Sequence, residues 1–213
     1  MTDVLLLADL HGNYGKLDAF LSYDYDAVII AGDITNFGPL EPVDSVLSRF
    51  EVPCFAIPGN CDPREIIDVL ERSDTICLHN SWIALGKITL AGFGGSNTTP
   101  FGTPFELTEE EIDSELTRIV NHMDRNIHNV LLSHAPPYGV LDSVGENHVG
   151  SRSIRKHMTR FDLICCAHIH EARGIVEVDG VRVVNPGPAS EGYGALIHFG
   201  KEPKDIDIEL ISV

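Results

Sequence analysis

Val4-Leu5-Leu6-Leu7-Ala8-Asp9-Leu10-His11 sets five apolar residues ahead of a carboxylate and an imidazole. An unbroken apolar run of strand length marks a strand buried on both faces. The same grammar recurs twice. Ala27–Ala31 runs into Gly32-Asp33, and Cys54–Ile57 leads to Gly59-Asn60-Cys61-Asp62. Between the runs, Tyr14–Leu21 and Val43–Phe50 fit short amphipathic helices, with Pro42 where a helix takes its first residue. A β-α-β-α-β order predicts parallel strands joined by right-handed crossovers. The fold class is α/β.

Downstream, Asp62-Pro63-Arg64-Glu65 reads as an N-cap, a Pro at the first helical position and a Glu reaching back. Trp82–Leu85 and Lys87–Ala91 predict a hairpin around Gly86, followed by a Gly/Thr/Pro-rich loop from Gly92 to Pro104. Thr108 and Glu111 form a second capping box, opening a helix to about Arg125. Val130–Ser133 is a strand, Ala135–Gly150 a long loop, Ser151–Arg160 a helix and Leu163–Ala167 another buried strand. Gly174–Val178 and Val181–Val184 flank an Asp179-Gly180 hairpin turn, and Ala195–Phe199 and Ile206–Ile211 supply further strands. With no repeat or linker, residues 1–213 are expected to form one domain.

Composition narrows the function. With 213 residues, the chain is long enough for a core that needs no disulfide or structural metal. Fifteen Lys and Arg against 32 Asp and Glu give a net charge of −17. Phosphate contacts from basic residues supply most nucleic-acid affinity, so long nucleic acids are not expected partners. Cys54, Cys61, Cys77, Cys165 and Cys166 have no CxxC spacing and imply no disulfide framework. The N-terminus lacks a basic n-region, and its apolar run is too short for a signal or membrane span. The setting expected is soluble and cytoplasmic, without membrane attachment; a homo-oligomer is left open.

The chemistry gathers at strand ends, where ligands bind in open α/β sheets. Asp9 and His11 follow the first strand, Asp33 the second, and Asn60, Cys61 and Asp62 the third. His134 ends the Val130–Ser133 strand, and His168 and His170 follow Leu163–Ala167. Carboxylate, imidazole and amide oxygen suit borderline divalent metals. An i, i+2 spacing just past a strand lets two side chains bracket an ion.

In that order, Asp9-x-His11, Gly32-Asp33, Gly59-Asn60-x-Asp62, His134 and Ala167-His168-x-His170 resemble the calcineurin-like metallophosphoesterase superfamily. Asn185-Pro186-Gly187-Pro188 is similar to that family's C-terminal strand ending. The resemblance implies a four-layer α-β-β-α sandwich with two divalent metals about 3.5–4 Å apart. Asp9, His11 and His170 would hold the first metal, Asn60, His134 and His168 the second, and Asp33 would bridge them. Mn²⁺ is the first choice, with Fe²⁺, Zn²⁺, Ni²⁺ or Co²⁺ as alternatives. A metal-bridging hydroxide would attack the phosphorus in line, with no covalent enzyme intermediate. Two divalent ions outweigh the carboxylates of Asp9 and Asp33, so the pocket would attract a small phosphoester despite the acidic surface.

The fourth motif departs from the usual Gly-Asn-His-Asp, whose His assists the leaving group. Here Cys61 stands instead, as in a subgroup of small microbial phosphodiesterases that this chain resembles. A neutral thiol is a weak donor and cannot replace imidazole near pH 7. Asp33, Asn60, Cys61 and His134 are thereby the residues expected around the reacting phosphate, with phosphodiesters favoured over monoesters. Two other functions are weighed: a nuclease of the same superfamily, and a non-catalytic scaffold resembling a retromer subunit. Added DNA-binding segments are missing, and all seven ligand positions are filled, which favours a small-molecule enzyme.

Other residues carry plainer readings. His79, His122, His128, His157 and His198 are surface or packing residues, and Cys165-Cys166 is strand packing. His148 lies in the long loop after His134 and reads first as a loop residue. Whether it, Cys61 or Asp62 assists leaving-group departure is open, with Asp62 read first as a helix N-cap. Asn13 fits either turn chemistry or a phosphate contact. The Gly92–Pro104 loop could wall the pocket, and Glu109-Glu110-Glu111 favours a helix dipole.

Overall fold

A computed structural model describes residues 2–213. The chain opens with β1 (Thr2–Leu7), α1 (Leu17–Phe20), β2 (Ala27–Ala31), α2 (Val43–Leu47), β3 (Cys54–Ile57) and α3 (Ile66–Arg72). Next come β4 (Ile76–Cys77), β5 (Ser81–Leu85), β6 (Ile88–Phe93), β7 (Ser96–Asn97), β8 (Glu106–Leu107) and α4 (Glu109–His122). β9 (His128–Ser133), β10 (Ser143–Val144), β11 (Asn147–His148), α5 (Arg152–His157) and β12 (Leu163–Cys165) follow. The tail is β13 (Gly174–Val178), β14 (Val181–Asn185), β15 (Tyr193–Phe199) and β16 (Ile206–Ser212).

Two six-stranded sheets result, ordered β16-β15-β1-β2-β3-β4 and β13-β14-β12-β9-β6-β5. β1, β2 and β3 are mutually parallel, as the helix-spaced apolar runs require. Alternation along β1 explains its unbroken hydrophobicity. Val4 and Leu6 face the core between the sheets, where they meet Ile29, Phe55, Leu90 and Leu132. Leu5 and Leu7 point the other way, against Leu17, Phe20, Val46 and Leu70 of the first three helices. The second sheet turns its outer face to Ile112, Leu116, Ile119 and Ile154 of α4 and α5. That is the four-layer α-β-β-α sandwich. Each fully buried Leu or Ile contributes about 1.5–3 kcal/mol, so a charge at Leu6 would open the middle layer.

Local departures have local causes. The helices expected at Tyr14–Leu21 and Val43–Phe50 shrink to α1 and α2. Their last turns tighten into i→i+3 bonds (Tyr23 N to Phe20 O, Phe50 N to Leu47 O), and Ser22 and Ser48 hydroxyls take helix carbonyls. Pro42 is the N-cap of α2, one residue earlier than expected. The Thr108–Glu111 capping box forms as read. The long Ala135–Gly150 loop contains the small hairpin β10–β11, and Gly92 and Phe93 extend β6 rather than start a loop. Among the described residues, no helix is long and apolar enough to cross a membrane.

Candidate metal centre

The parallel pairing of β1 and β2 continues past both strands. Asp9 N–H donates to Gly32 O (3.1 Å) and His11 N–H to Asp33 O (2.8 Å). These bonds carry the chain through left-handed backbone: φ is 53° at Asp9, 47° at His11, 50° at Asp33 and 70° at His168. That region costs non-glycine residues roughly 1–2 kcal/mol, and Asp, Asn and His bear it best. Here it swings side chains from successive loops toward one point.

Two glycines make the approach fit. A Cβ on Gly59 would lie 2.1 Å from Asp33 N and Oδ1, and one on Gly32 would lie 2.7 Å from Gly59 backbone and His134 Nδ1. The Gly-Asp and Gly-Asn pairs thus keep two loops in van der Waals contact.

Ligand atoms converge where the loops meet. Asp9, His11 and His170 form one group, Asp9, Asp33 and His134 a second, and His11, Asp33 and Cys61 a third, each with donor atoms within 4.8 Å of one another. His11 Nε2 and His170 Nε2 are 3.2 Å apart, and Asp33 Oδ2 lies 3.6 Å from His11 Nε2 and 3.5 Å from His134 Nε2. Asn60 Oδ1 sits 2.9 Å from His134 Nε2. His168 joins none of these groups. Its ring packs 5.1 Å from that of His134, and its backbone N–H donates to Asp9 Oδ2 at 3.3 Å.

The donor set fits cations. Asp9 is fully buried, and its Oδ1 has no hydrogen-bond partner, which is costly unless something positive meets it. His134 Nδ1 faces the Ala31 carbonyl at 2.8 Å, so it donates there, and in the neutral ring Nε2 is then a lone pair. Asn60 Nδ2 donates to Thr103 Oγ1 at 3.1 Å, turning its oxygen toward that lone pair. With the ring neutral, two acceptors lie 2.9 Å apart, so a proton or a metal ion must sit near both.

Charges agree. Burial pushes the Asp9 carboxyl up, but His170 and the charges of His134 and His11 outweigh it and hold it below the usual range. Asp9 in turn raises His170. Burial, then the charge of His134, pushes His168 down to about 3, so its ring is neutral. Burial and then Asp33 push the Cys61 thiol far above its ordinary range, leaving it protonated.

Asp62 is not the helix N-cap that the sequence suggests. Glu65 holds that position, without a side-chain cap. Asp62 is fully buried and accepts from Ile34 N (3.1 Å), Thr35 N (2.7 Å), Thr35 Oγ1 (2.9 Å) and Gly59 N (2.8 Å). It clamps the Asp33 loop to the Asn60 loop. Burial and the charge of Asp33 still push it up to about 6.

A family comparison settles the lineage: the calcineurin-like phosphoesterase model matches residues 2–172. The chain belongs to this family. As a phosphoesterase it is a hydrolase, and its divalent-metal requirement follows from the family. MJ1162, an uncharacterised protein of Methanocaldococcus jannaschii, is 39% identical to this phosphoesterase over 197 residues, 86% of this chain and 87% of that one. The fold also matches TT1561 of Thermus thermophilus (TM-score 0.76, 19% identity, 99% and 98% of the two chains). An archaeal phosphodiesterase aligns at TM-score 0.52 and 16% identity, over 99% of both chains.

Several neighbours of the phosphoesterase's centre escape sequence reasoning. Thr103 orients Asn60, and Glu106 gathers Thr99 and Thr103 through both backbone and hydroxyl groups. Ser190 Oγ donates to Asp9 O at 2.9 Å. Asn13 Oδ1 accepts from Gly15 N within its turn, and its Nδ2 donates to Ser190 O across the fold. His79 packs on Phe93 and Phe105, and His128 is fully buried, in keeping with packing roles.

Proposed function

We propose that this hydrolase is a dinuclear-metal phosphodiesterase acting on small phosphoesters in a cytoplasmic setting, as one domain. The convergence of His11, His134, His170 and Asp33 around the unpartnered Asp9 Oδ1 carries the reading. Asp9, His11 and His170 would hold one ion, Asn60, His134 and His168 the other, with Asp33 between them. Bound there, Mn²⁺ or a similar ion supplies Lewis acidity toward the phosphoryl oxygens and lowers the pKa of water.

The chain's own residues do the rest. Ala31 O fixes the His134 tautomer, Thr103 turns the Asn60 oxygen inward, and the Cys61 N–H holds Asp33 Oδ1 at 2.7 Å. Preset ligands lose little freedom on binding, which is where such sites gain affinity. The protonated Cys61 offers no covalent nucleophile and a poor proton donor. Cys61 therefore gives a leaving group no useful proton, which favours aryl diesters over unactivated monoesters.

The test is metal analysis of the purified protein, then a Mn²⁺-reconstituted screen across phosphomonoesters, phosphodiesters and cyclic phosphates, with Asp33→Ala and Asn60→Ala as controls. Metal-dependent diester hydrolysis lost in both variants is expected. A protein that binds no transition metal, or hydrolyses no ester, would overturn the reading.

A further inference from the structure

Beside the centre lies a cleft of about 680 Å³, within the range of small-molecule sites. Asn60 and His168 line it, and so do Phe101, Tyr138, Val144 and His148. Phe101 is 84% exposed and Val144 42% exposed, and together they give the cleft an apolar wall. The Arg152 guanidinium sits 4.4 Å from the Tyr138 ring centroid, and the His148 ring 5.6 Å from it.

His148 is held by a buried acid. Its Nδ1 lies 2.7 Å from Asp142 Oδ1, and Asp142 is fully buried. The other Asp142 oxygen accepts from Gly139 N and Gly150 N, each at 2.9 Å. Oδ1 is thus reserved for the imidazole. Seating Nδ1 on Asp142 turns Nε2, on the opposite edge of the ring, away from the interior, and Nε2 has no hydrogen-bond partner among the described residues. The carboxylate closes the loop through Gly139 and Gly150 and also faces the imidazole. It orients a ring and supplies the countercharge that an imidazolium needs, as the acid does in other carboxylate–histidine pairs. Cys61, meanwhile, leaves the leaving group without a donor.

We propose that His148, held by Asp142, gives a proton to the leaving-group oxygen of a phosphodiester whose organic group occupies this cleft. As the phosphorus–oxygen bond breaks, its electron pair goes to that oxygen, which takes the proton from Nε2. Water forms the new bond to phosphorus, and a proton from that water restores the imidazolium. The inference rests on the phosphodiesterase reading and adds to it a residue and a direction for the substrate.

Leaving-group dependence tests it. Metal-loaded wild type, His148→Asn and His148→Gln are assayed on methyl aryl phosphates running from 4-nitrophenol to phenol as leaving group. Asn keeps an amide N–H for Asp142 but has no proton to give. Metal content and circular dichroism check that each variant is folded and loaded. The expected loss in kcat is within about 3-fold for 4-nitrophenol and grows to about 10²-fold for phenol, because a better leaving group needs less protonation. Equal losses across the series, or none, overturn the inference while leaving the phosphodiesterase intact. A wild type inactive on every ester overturns both.

Discussion

Thr103→Val is the sharpest test of how the centre is built. Thr103 Oγ1 accepts from Asn60 Nδ2 at 3.1 Å and donates to Glu106 Oε1 at 2.7 Å. Valine keeps the shape and removes both bonds. A neutral hydrogen bond is worth about 1 kcal/mol and one to a charged group about 1.5–3. Half-burial puts the second at the low end, so a stability loss of about 2–3 kcal/mol follows. Glu106 keeps Thr99 Oγ1, Thr99 N and Thr103 N, so the loop stays in place. The larger effect falls on the centre. Without Thr103 the Asn60 Nδ2 keeps only the weak contact to Cys61 Sγ at 3.5 Å, and losing such an orienting partner weakens metal binding about 10–100-fold. Thr99→Val is the control: it also removes a hydroxyl bond to Glu106, yet touches nothing on Asn60. Mn²⁺ titration by calorimetry and urea unfolding separate the two effects. If Thr103→Val binds Mn²⁺ as tightly as wild type, or Thr99→Val loses as much, then Thr103 does not set the Asn60 oxygen and the reasoning fails.

Three further outcomes follow from the geometry. Gly59→Ala should cost at least about 10-fold in metal affinity, since its Cβ would lie 2.1 Å from Asp33 Oδ1; wild-type metal titration in that variant would sink the close-approach argument. Cys61→His should raise phosphomonoester turnover by about 10²-fold, and an unchanged rate on an aryl monoester would show that Cys61 is not what limits it. His79 is pushed down to about 4, chiefly by burial, and its Nδ1 accepts from Gly94 N at 3.0 Å, which requires the neutral ring. The unfolded chain takes a proton near pH 6.5 while the fold refuses it until about pH 4. Stability from this group is therefore full above about pH 6.5 and is lost as pH falls through that window, by up to about 3 kcal/mol. Urea midpoints of wild type and His79→Phe between about pH 7.5 and 4 measure it, and parallel pH profiles would refute it.

The fold was legible where burial is two-sided. Leu5, Leu6 and Leu7 must each find a core, and only a strand between two layers gives all three one. The gathering of Asp9, His11, Asp33, His134 and His170 was legible for a related reason: each follows a strand end within a few residues, so order along the chain maps onto one rim. Asp62 was misread because its role is non-local. Its donors are Ile34, Thr35 and Gly59, and nothing around Asp62-Pro63-Arg64-Glu65 announces them. Thr103 and Asp142 are hidden for the same reason: each acts on a distant or loop-folded partner. Helix lengths were overestimated where serine hydroxyls compete for carbonyls, which apolar periodicity does not register.

The net charge of −17 bears on substrate size more than on phosphate chemistry. At the centre, Asp9, Asp33 and Asp62 crowd together while His168 stays neutral, so bound cations would relieve the repulsion and help offset the cost of the left-handed backbone of four loop residues. The same cations would make this one spot attractive to a phosphate. Beyond it, the cleft sets Arg152 and His148 against Glu109 and Glu171, and the Arg152 guanidinium already lies over Tyr138. A second phosphate in the cleft would meet these carboxylates as well as the cations within the ~8 Å over which charges act at physiological salt, and so would gain little net attraction. A long polyanion would meet them repeatedly, whereas a diester with an uncharged aromatic or apolar group presents its single charge only at the metals. On the proposed function, the acidity of the chain, its apolar cleft wall and a metal-loaded centre would together favour a small phosphodiester.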